Sequence, residues 1–167
     1  VCDSAAQPSD CDNISLLVAQ LDADPEPEIL AGDANPGADA LSRIDFEAGS
    51  VLETSTVATA QGLAARALLA DVDGDGIDDL ITWFAAPNQR TDEIAVLLAD
   101  APGSYGAPSV LEVGDTDLVR EVTLRKVVAT DVDGDGTLDL WLDGQWIEGD
   151  GQGGFEFVGH IDHGDAF

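Results

Sequence analysis

The chain has 167 residues, with 34 Asp or Glu against 6 Lys or Arg and a formal charge of -28. A polyanion of this strength is repelled by nucleic acid and by anionic lipid surfaces, so charge excludes DNA, RNA and acidic membranes as partners. The length suits one domain or a few repeats sharing a core, and hydrophobic residues, 44% of the total, fall in short Val/Ile/Leu runs bounded by Gly, Asp and Pro, as in a folded β-rich chain.

Residues 1–14 form a polar segment carrying both cysteines, Cys2 and Cys11. A disulfide closing this short loop is expected and implies an oxidising compartment; the competing reading is two free thiols in a reducing one. No apolar stretch is long enough for a membrane-spanning helix. A start at Val1 would suit a processed precursor, so an exported, extracellular protein without membrane insertion is expected. Asn13-Ile14-Ser15 is a glycosylation sequon, meaningful only in a source that glycosylates exported proteins.

The first repeat, residues 15–65, opens with a strand over 15–19. An acidic loop follows, Gln20-Leu21-Asp22-Ala23-Asp24-Pro25-Glu26-Pro27-Glu28, and then strands over 29–31 and 41–46, with a hairpin tip near 35–39 and a turn at Gly49-Ser50-Val51. The second repeat, residues 66–125, has a strand over 67–70; the Ala- and Leu-rich run 61–69 is compatible with a helix, but strand continuation into the loop suits it better. The loop is Asp71-Val72-Asp73-Gly74-Asp75-Gly76-Ile77-Asp78-Asp79. Strands over 80–84, 93–99 and 109–113 follow, with a tip near 87–91 and a turn at Gly103-Ser104-Tyr105. The third repeat, residues 126–167, has a strand over 126–129 and the loop Asp131-Val132-Asp133-Gly134-Asp135-Gly136-Thr137-Leu138-Asp139. Strands over 140–142 and 155–161 complete it, the second opening at the turn Gly153-Gly154-Phe155. Two landmarks per unit make the repetition secure. Each unit holds about four short strands, the content of one propeller blade.

The loops carry the chemistry. Calcium takes about six to eight oxygen ligands, and alternating Asp residues in a tight loop supply them. The spacing assigns Asp71, Asp73, Asp75 and Asp79 with the carbonyl of Ile77 to one ion, and Asp131, Asp133, Asp135 and Asp139 with the carbonyl of Thr137 to another. In the first loop Gln20 and Pro25 replace an Asp and a Gly, leaving Asp22, Asp24 and Glu28 as acids. The alternative is an acidic turn that binds nothing. An EF-hand needs an acid at the twelfth loop position and flanking helices; Thr82 and Leu142 stand there instead, and the loops run straight into apolar strands.

With these residues in view, the loop D-x-D-G-D-G-x-x-D-L, followed by strands and a G-[SG]-aromatic turn, resembles the FG-GAP or VCBS repeat of integrin α-subunit-type calcium-binding propellers. The resemblance spans about Ser15 to Asp162 and departs in unit one at Gln20 and Pro25. It implies an all-β fold of three four-stranded antiparallel blades, structural calcium between the first strands of a blade, and adhesion or ligand binding outside the cell. Closed propellers use about four to eight blades, so three leave an open array whose end units invite association. The expected partner is the chain itself, in a closed ring or a head-to-tail filament, unless the three units are a fragment of a larger propeller; a glycan or protein ligand is the second possibility.

Weaker signals have bland readings beside them. His160 and His163 are spaced as metal ligands and equally as two solvated side chains of a polar tail. Trp83, Trp141 and Trp146 are possible sugar platforms; alignment with Ile81 and Leu30 assigns Trp141 to the core, and Trp146, after a Gly turn, to the surface. Nucleophile, phosphate-loop and reactive-cysteine motifs are missing, so no enzyme is expected. The functional classes are a calcium-stiffened structural or adhesive protein, a secreted lectin-like module and, third, an enzyme accessory domain that would need a separate catalytic partner.

Overall fold

A computed structural model describes residues 15–22, 24–32, 39–60, 66–84, 91–115, 127–142 and 145–160. The cysteines, Asn13, His163 and the tips expected near 35–39 and 87–91 lie wholly or mostly outside that set, as does the start of the Ala- and Leu-rich run; its last part is strand from Arg66.

The described chain is all β. Sheet one is β1 (Ser15–Ala19), β2 (Glu28–Gly32), β3 (Ala40–Glu47) and β4 (Ser50–Ala58), antiparallel and in that order. Sheet two joins β5 (Arg66–Ala70), β6 (Asp79–Phe84), β7 (Thr91–Leu97) and β10 (Ser109–Asp115), while β8 (Ala99–Ala101) and β9 (Ser104–Tyr105) pair as a small hairpin between its last two strands. Sheet three is β11 (Val127–Thr130), β12 (Asp139–Leu142), β13 (Gln145–Gly149) and β14 (Phe155–His160). None of the sheets closes on itself. Each is a meander, which short turns between antiparallel neighbours permit.

Alternation along the strands lets sheet two bury both faces. Leu80, Ala95 and Leu97 pack with Leu21, Leu30 and Leu41 of unit one. Their strand neighbours Ile81, Trp83, Ile94 and Val96 point the other way and pack with Val127, Leu140, Leu142 and Ile147 of unit three. Cross-strand register enforces this, with Leu80 opposite Leu97 and Ile81 opposite Val96; a one-residue slip would exchange the two cores. The three sheets therefore stack in chain order, each with a rearward face toward the preceding sheet and a forward face toward the next.

Three sequence expectations are corrected by the structure. Trp141 is only half-buried, because it occupies the forward face of sheet three, which no further described sheet covers; it pairs across the strands with Trp146, also half-buried rather than on the open surface. The single strand expected over 93–99 is interrupted at Leu98, whose carbonyl accepts the Gly106 N–H at 2.8 Å and turns the chain into the β8–β9 hairpin.

Turn chemistry fixes where the hairpins end. Ala48 and Gly49 both have positive φ, 51° and 74°, the conformation of a two-residue turn that matches strand twist, and the Ala48 N–H donates to the Glu26 carboxylate at 2.8 Å. At the β8–β9 turn Gly103 has φ 72°, and a Cβ there would lie 2.3 Å from the Leu21 carbonyl oxygen. Only glycine lets this turn of unit two rest on the loop of unit one.

Tyr105, the only tyrosine in the chain, packs beside that contact against the core shared by sheets one and two. Burial pushes its phenol from 10.0 to about 12, with the charge of Arg43 opposing the shift and those of Asp78 and Asp79 adding to it. A raised folded-state value means that the neutral phenol favours the native chain. This contribution is complete below pH 10 and disappears as pH rises through about 12. Absorbance titration at 295 nm is expected to show one phenolate appearing near pH 12 in the folded protein, against about 10 in denaturant; a native midpoint at 10 would show an exposed ring.

Candidate metal centre

Each acidic loop joins the first two strands of its sheet, spanning residues 20–27, 71–78 and 131–138. Their conformation is written by side chains that fold back on the backbone. In loop two the Asp71 carboxylate accepts the N–H groups of Gly74 at 2.8 Å and Gly76 at 3.0 Å, Asp73 accepts that of Asp75 at 3.1 Å, and Asp75 accepts that of Ile77 at 2.8 Å. Loop three repeats the set with Asp131 to Gly134 and Gly136, Asp133 to Asp135, and Asp135 to Thr137 at 2.6, 3.1, 3.0 and 2.8 Å. Such Asx turns are what short acceptor side chains do when backbone N–H groups lie nearby. Gly74, Gly76, Gly134 and Gly136 all have positive φ, from 76° to 94°, which explains the D-G-D-G string.

The last acid of each loop has a second task. Asp79 is fully buried, and its two oxygens accept the N–H of Val72 at 2.9 Å and of Ala99 at 2.8 Å. Asp139 does the same with Val132 at 2.9 Å and Gly149 at 3.0 Å. Each thus bolts its loop to a later stretch of the same repeat. Burial pushes the Asp79 carboxyl above its ordinary range, against the pull of the two backbone hydrogen bonds; the charges of Asp73 and Asp75 push the same way. Exposed Asp135 moves oppositely, lowered by hydrogen bonds from the Thr137 hydroxyl and N–H.

Loops two and three gather their carboxylates. One oxygen each from Asp71, Asp73 and Asp79 lie within 4.8 Å of one another, as do those of Asp131, Asp133 and Asp139. Asp135 joins a separate, exposed trio with Asp133 and Glu148, a residue the spacing did not single out. Asp75 is in no such trio, and its carboxylate accepts the Ile77 N–H.

The first loop is built differently. Its Asx turns persist, Asp22 accepting from Asp24 at 3.0 Å and Asp24 from Glu26 at 2.8 Å. Glu28 is fully buried like Asp79 and accepts the Leu21 N–H. Gln20, however, stands where Asp71 and Asp131 do, and its amide nitrogen donates to the carbonyls of Asp22, Asp24 and Glu26 at 3.3, 2.5 and 3.3 Å. The Glu26 carbonyl is the counterpart of those of Ile77 and Thr137. Arg43 reaches in from β3 to Asp22 at 2.8 Å and Asp45 at 2.6 Å. Burial disfavours this cation, but the hydrogen bond and charge of Asp45, with the charges of Asp22 and Glu28, hold its pKa above the ordinary value. Asp22, Glu28 and Asp45 also form a trio within 4.8 Å. Sequence spacing missed Arg43 and Asp45 because they arrive from another strand; a single arginine in a half-buried strand of so acidic a chain was the available signal.

The chain matches no family model and no curated protein.

Replacing the two kinds of acid separates their tasks. Asp79→Asn puts an amide donor against one of two buried N–H groups, and is expected to cost about 3 kcal/mol in chelator, where no ion contributes. Asp75→Asn, on an exposed side chain, is expected to change stability by less than about 0.5 kcal/mol in chelator. Urea unfolding of both variants in chelator measures the difference, and equal losses would refute the division.

Proposed function

We propose that this protein is a non-catalytic, extracellular calcium-binding repeat protein of the FG-GAP or VCBS kind, with a structural or adhesive role, whose sheets act as blades of an open array and assemble with other copies. The observation that carries the calcium reading is the duplicated loop, in which three carboxylate oxygens converge within 4.8 Å twice over on a backbone held by the same set of hydrogen bonds. The donor set fits the ion: carboxylates and carbonyls are hard oxygen ligands, and histidine or thiolate, which zinc would favour, is missing from all four described trios.

Asp71, Asp73, Asp75 and Asp79 with the Ile77 carbonyl would hold one ion, and Asp131, Asp133, Asp135 and Asp139 with the Thr137 carbonyl a second. The ion supplies charge neutralisation and cross-links loop to strand, and no reaction is implied. In loop one, Asp22, Asp24 and Glu28 are the acids in place, but the Gln20 amide already occupies the Glu26 carbonyl and Arg43 already neutralises Asp22. Protein-borne donors and charge there do what calcium does in the other two loops. Isothermal titration of calcium into chelator-stripped protein tests this reading. Two sites are expected; heats indistinguishable from dilution would end it.

A lectin-like module is the second reading, favoured by the Trp141–Trp146 pair on the forward face of sheet three. Binding on a glycan array in calcium buffer, lost in Trp146→Ala, would move the function to that class.

A further inference from the structure

We propose that copies of this chain dock head to tail, the forward face of sheet three in one copy against the rearward face of sheet one in the next, and that this joint repeats the two already inside the molecule. The inference deepens the self-assembly reading above by naming the surfaces. It rests on comparing the same position in three units.

Leu21, Val72 and Val132 are the second residues of the three loops. Leu21 is 2% exposed and Val72 3%, each covered by the following sheet, whereas Val132 is 37% exposed. Leu30, Ile81 and Trp141 follow the same rule, buried twice and half-buried in the last unit. The rearward faces behave conversely. Val18 is 62% exposed and Leu16 64%, while their counterparts in sheet two, Leu69 and Ala67, pack into the core shared with sheet one. The position Gly49, Gly103, Gly153 shows the same order. A Cβ at Gly103 would strike unit one at Leu21, and one at Gly153 would strike unit two at Leu98, but a Cβ at Gly49 meets nothing within 4 Å. Beside Gly49 lies a shallow apolar groove of about 360 Å³, lined by Val18, Glu26, Pro27, Ile29 and Phe46.

The two open surfaces are therefore the two halves of a contact the molecule makes twice internally. A forward face with an apolar residue in the loop meets a rearward face with a glycine turn, and in the joint the Gly49 turn would reach the Val132 loop as the Gly103 turn reaches Leu21. Such a contact uses different patches on the two partners, so it is heterologous and propagates into a ring or a filament. A second copy is the occupant that brings the matching half. The chain's -28 charge opposes association at low ionic strength, so the joint forms where cations or salt screen it.

The test uses two full-length variants altered only at exposed positions, Val18→Lys at the head and Val132→Lys at the tail, sized by analytical ultracentrifugation in calcium and physiological salt. Wild-type protein is expected to form species larger than a dimer. Each variant alone is expected to stay monomeric, and an equimolar mixture to form a heterodimer and nothing larger, since one intact head meets one intact tail. Formation of that dimer also shows both variants folded. A monomeric wild type, a variant that still assembles, or two variants folded by circular dichroism whose mixture stays monomeric would each overturn the proposal. Calcium titration of the same wild-type sample keeps the two readings apart, because assembly without calcium uptake would leave the joint standing and remove the metal.

Discussion

Stripping divalent ions with a chelator is expected to lower the thermal unfolding midpoint by about 10 to 20 °C. A ligand at about a hundred times its dissociation constant stabilises the native state by about 2.7 kcal/mol per site, so two filled loops contribute about 5 kcal/mol. For a chain of this size each kcal/mol moves the midpoint by roughly 2 to 4 °C. The mechanism is electrostatic: with oxygens of Asp71, Asp73 and Asp79, and again of Asp131, Asp133 and Asp139, within 4.8 Å, each loop concentrates repulsion where the backbone must close. Monovalent salt recovers only part of the loss, because these separations are shorter than the roughly 8 Å screening length of physiological saline. Scanning calorimetry in calcium, in chelator, and in chelator with added sodium chloride measures all three quantities. Coincident melts in the first two would remove calcium from the account of stability.

Arg43→Met is expected to convert the first loop from ion-independent to ion-dependent. The substitution keeps an unbranched apolar chain between sheets one and two but leaves Asp22, Glu28 and Asp45, whose oxygens lie within 4.8 Å of one another, without a counter-charge. Removing one partner of a fully buried pair costs about 3 to 5 kcal/mol. Asp22 is partly exposed, with a side chain 36% accessible, so solvent reduces the expected loss in chelator to about 2 to 3 kcal/mol. Calcium should restore most of it, and titration should count three ions where the wild type takes two. A variant that loses the same stability with and without calcium, and still binds two ions, would show that Arg43 only fills space.

Much of the fold was legible because two periodicities and one string carry it. Alternating apolar residues marked the strands that flank each loop. The D-G-D-G strings placed glycines where φ had to be positive. The landmarks at Gly49, Gly103 and Gly153 identified turns that the structure contains. Less legible were β4 and β13. The run Ser50–Ala58 is mostly exposed, with Val51 and Leu52 adjacent rather than alternating and both facing solvent, so it shows no clean period of two and is held as a strand by pairing with β3. In Gln145–Gly149, a buried Gln and Gly interrupt the apolar alternation. The β8–β9 hairpin was read as the tail of one strand and a turn, because the break at Leu98 depends on a hydrogen bond to Gly106 rather than on a local breaker residue.

For the site, the acids were legible and their division of labour was not. Spacing treated Asp71 and Asp79 as equivalent ligands, but Asp71 folds onto its own loop while Asp79 is buried against Ala99, twenty residues away in the chain. Spacing also noted that Gln20 departs from the pattern without showing that it donates to carbonyls, or that Arg43 lies beside Asp22.

By itself, the order of residues determined that the chain is built of β-strand repeats and where its acidic loops fall, because both are local properties read from neighbours a few positions apart. Tertiary structure decided which faces of those strands are covered, which carboxylates are bolts and which face water, and which loop has a positive charge of its own. These depend on contacts between segments far apart in sequence: Val72 and Val132 sit in nearly identical strings, and one is buried and the other exposed because sheet three packs over the first and no described sheet packs over the second.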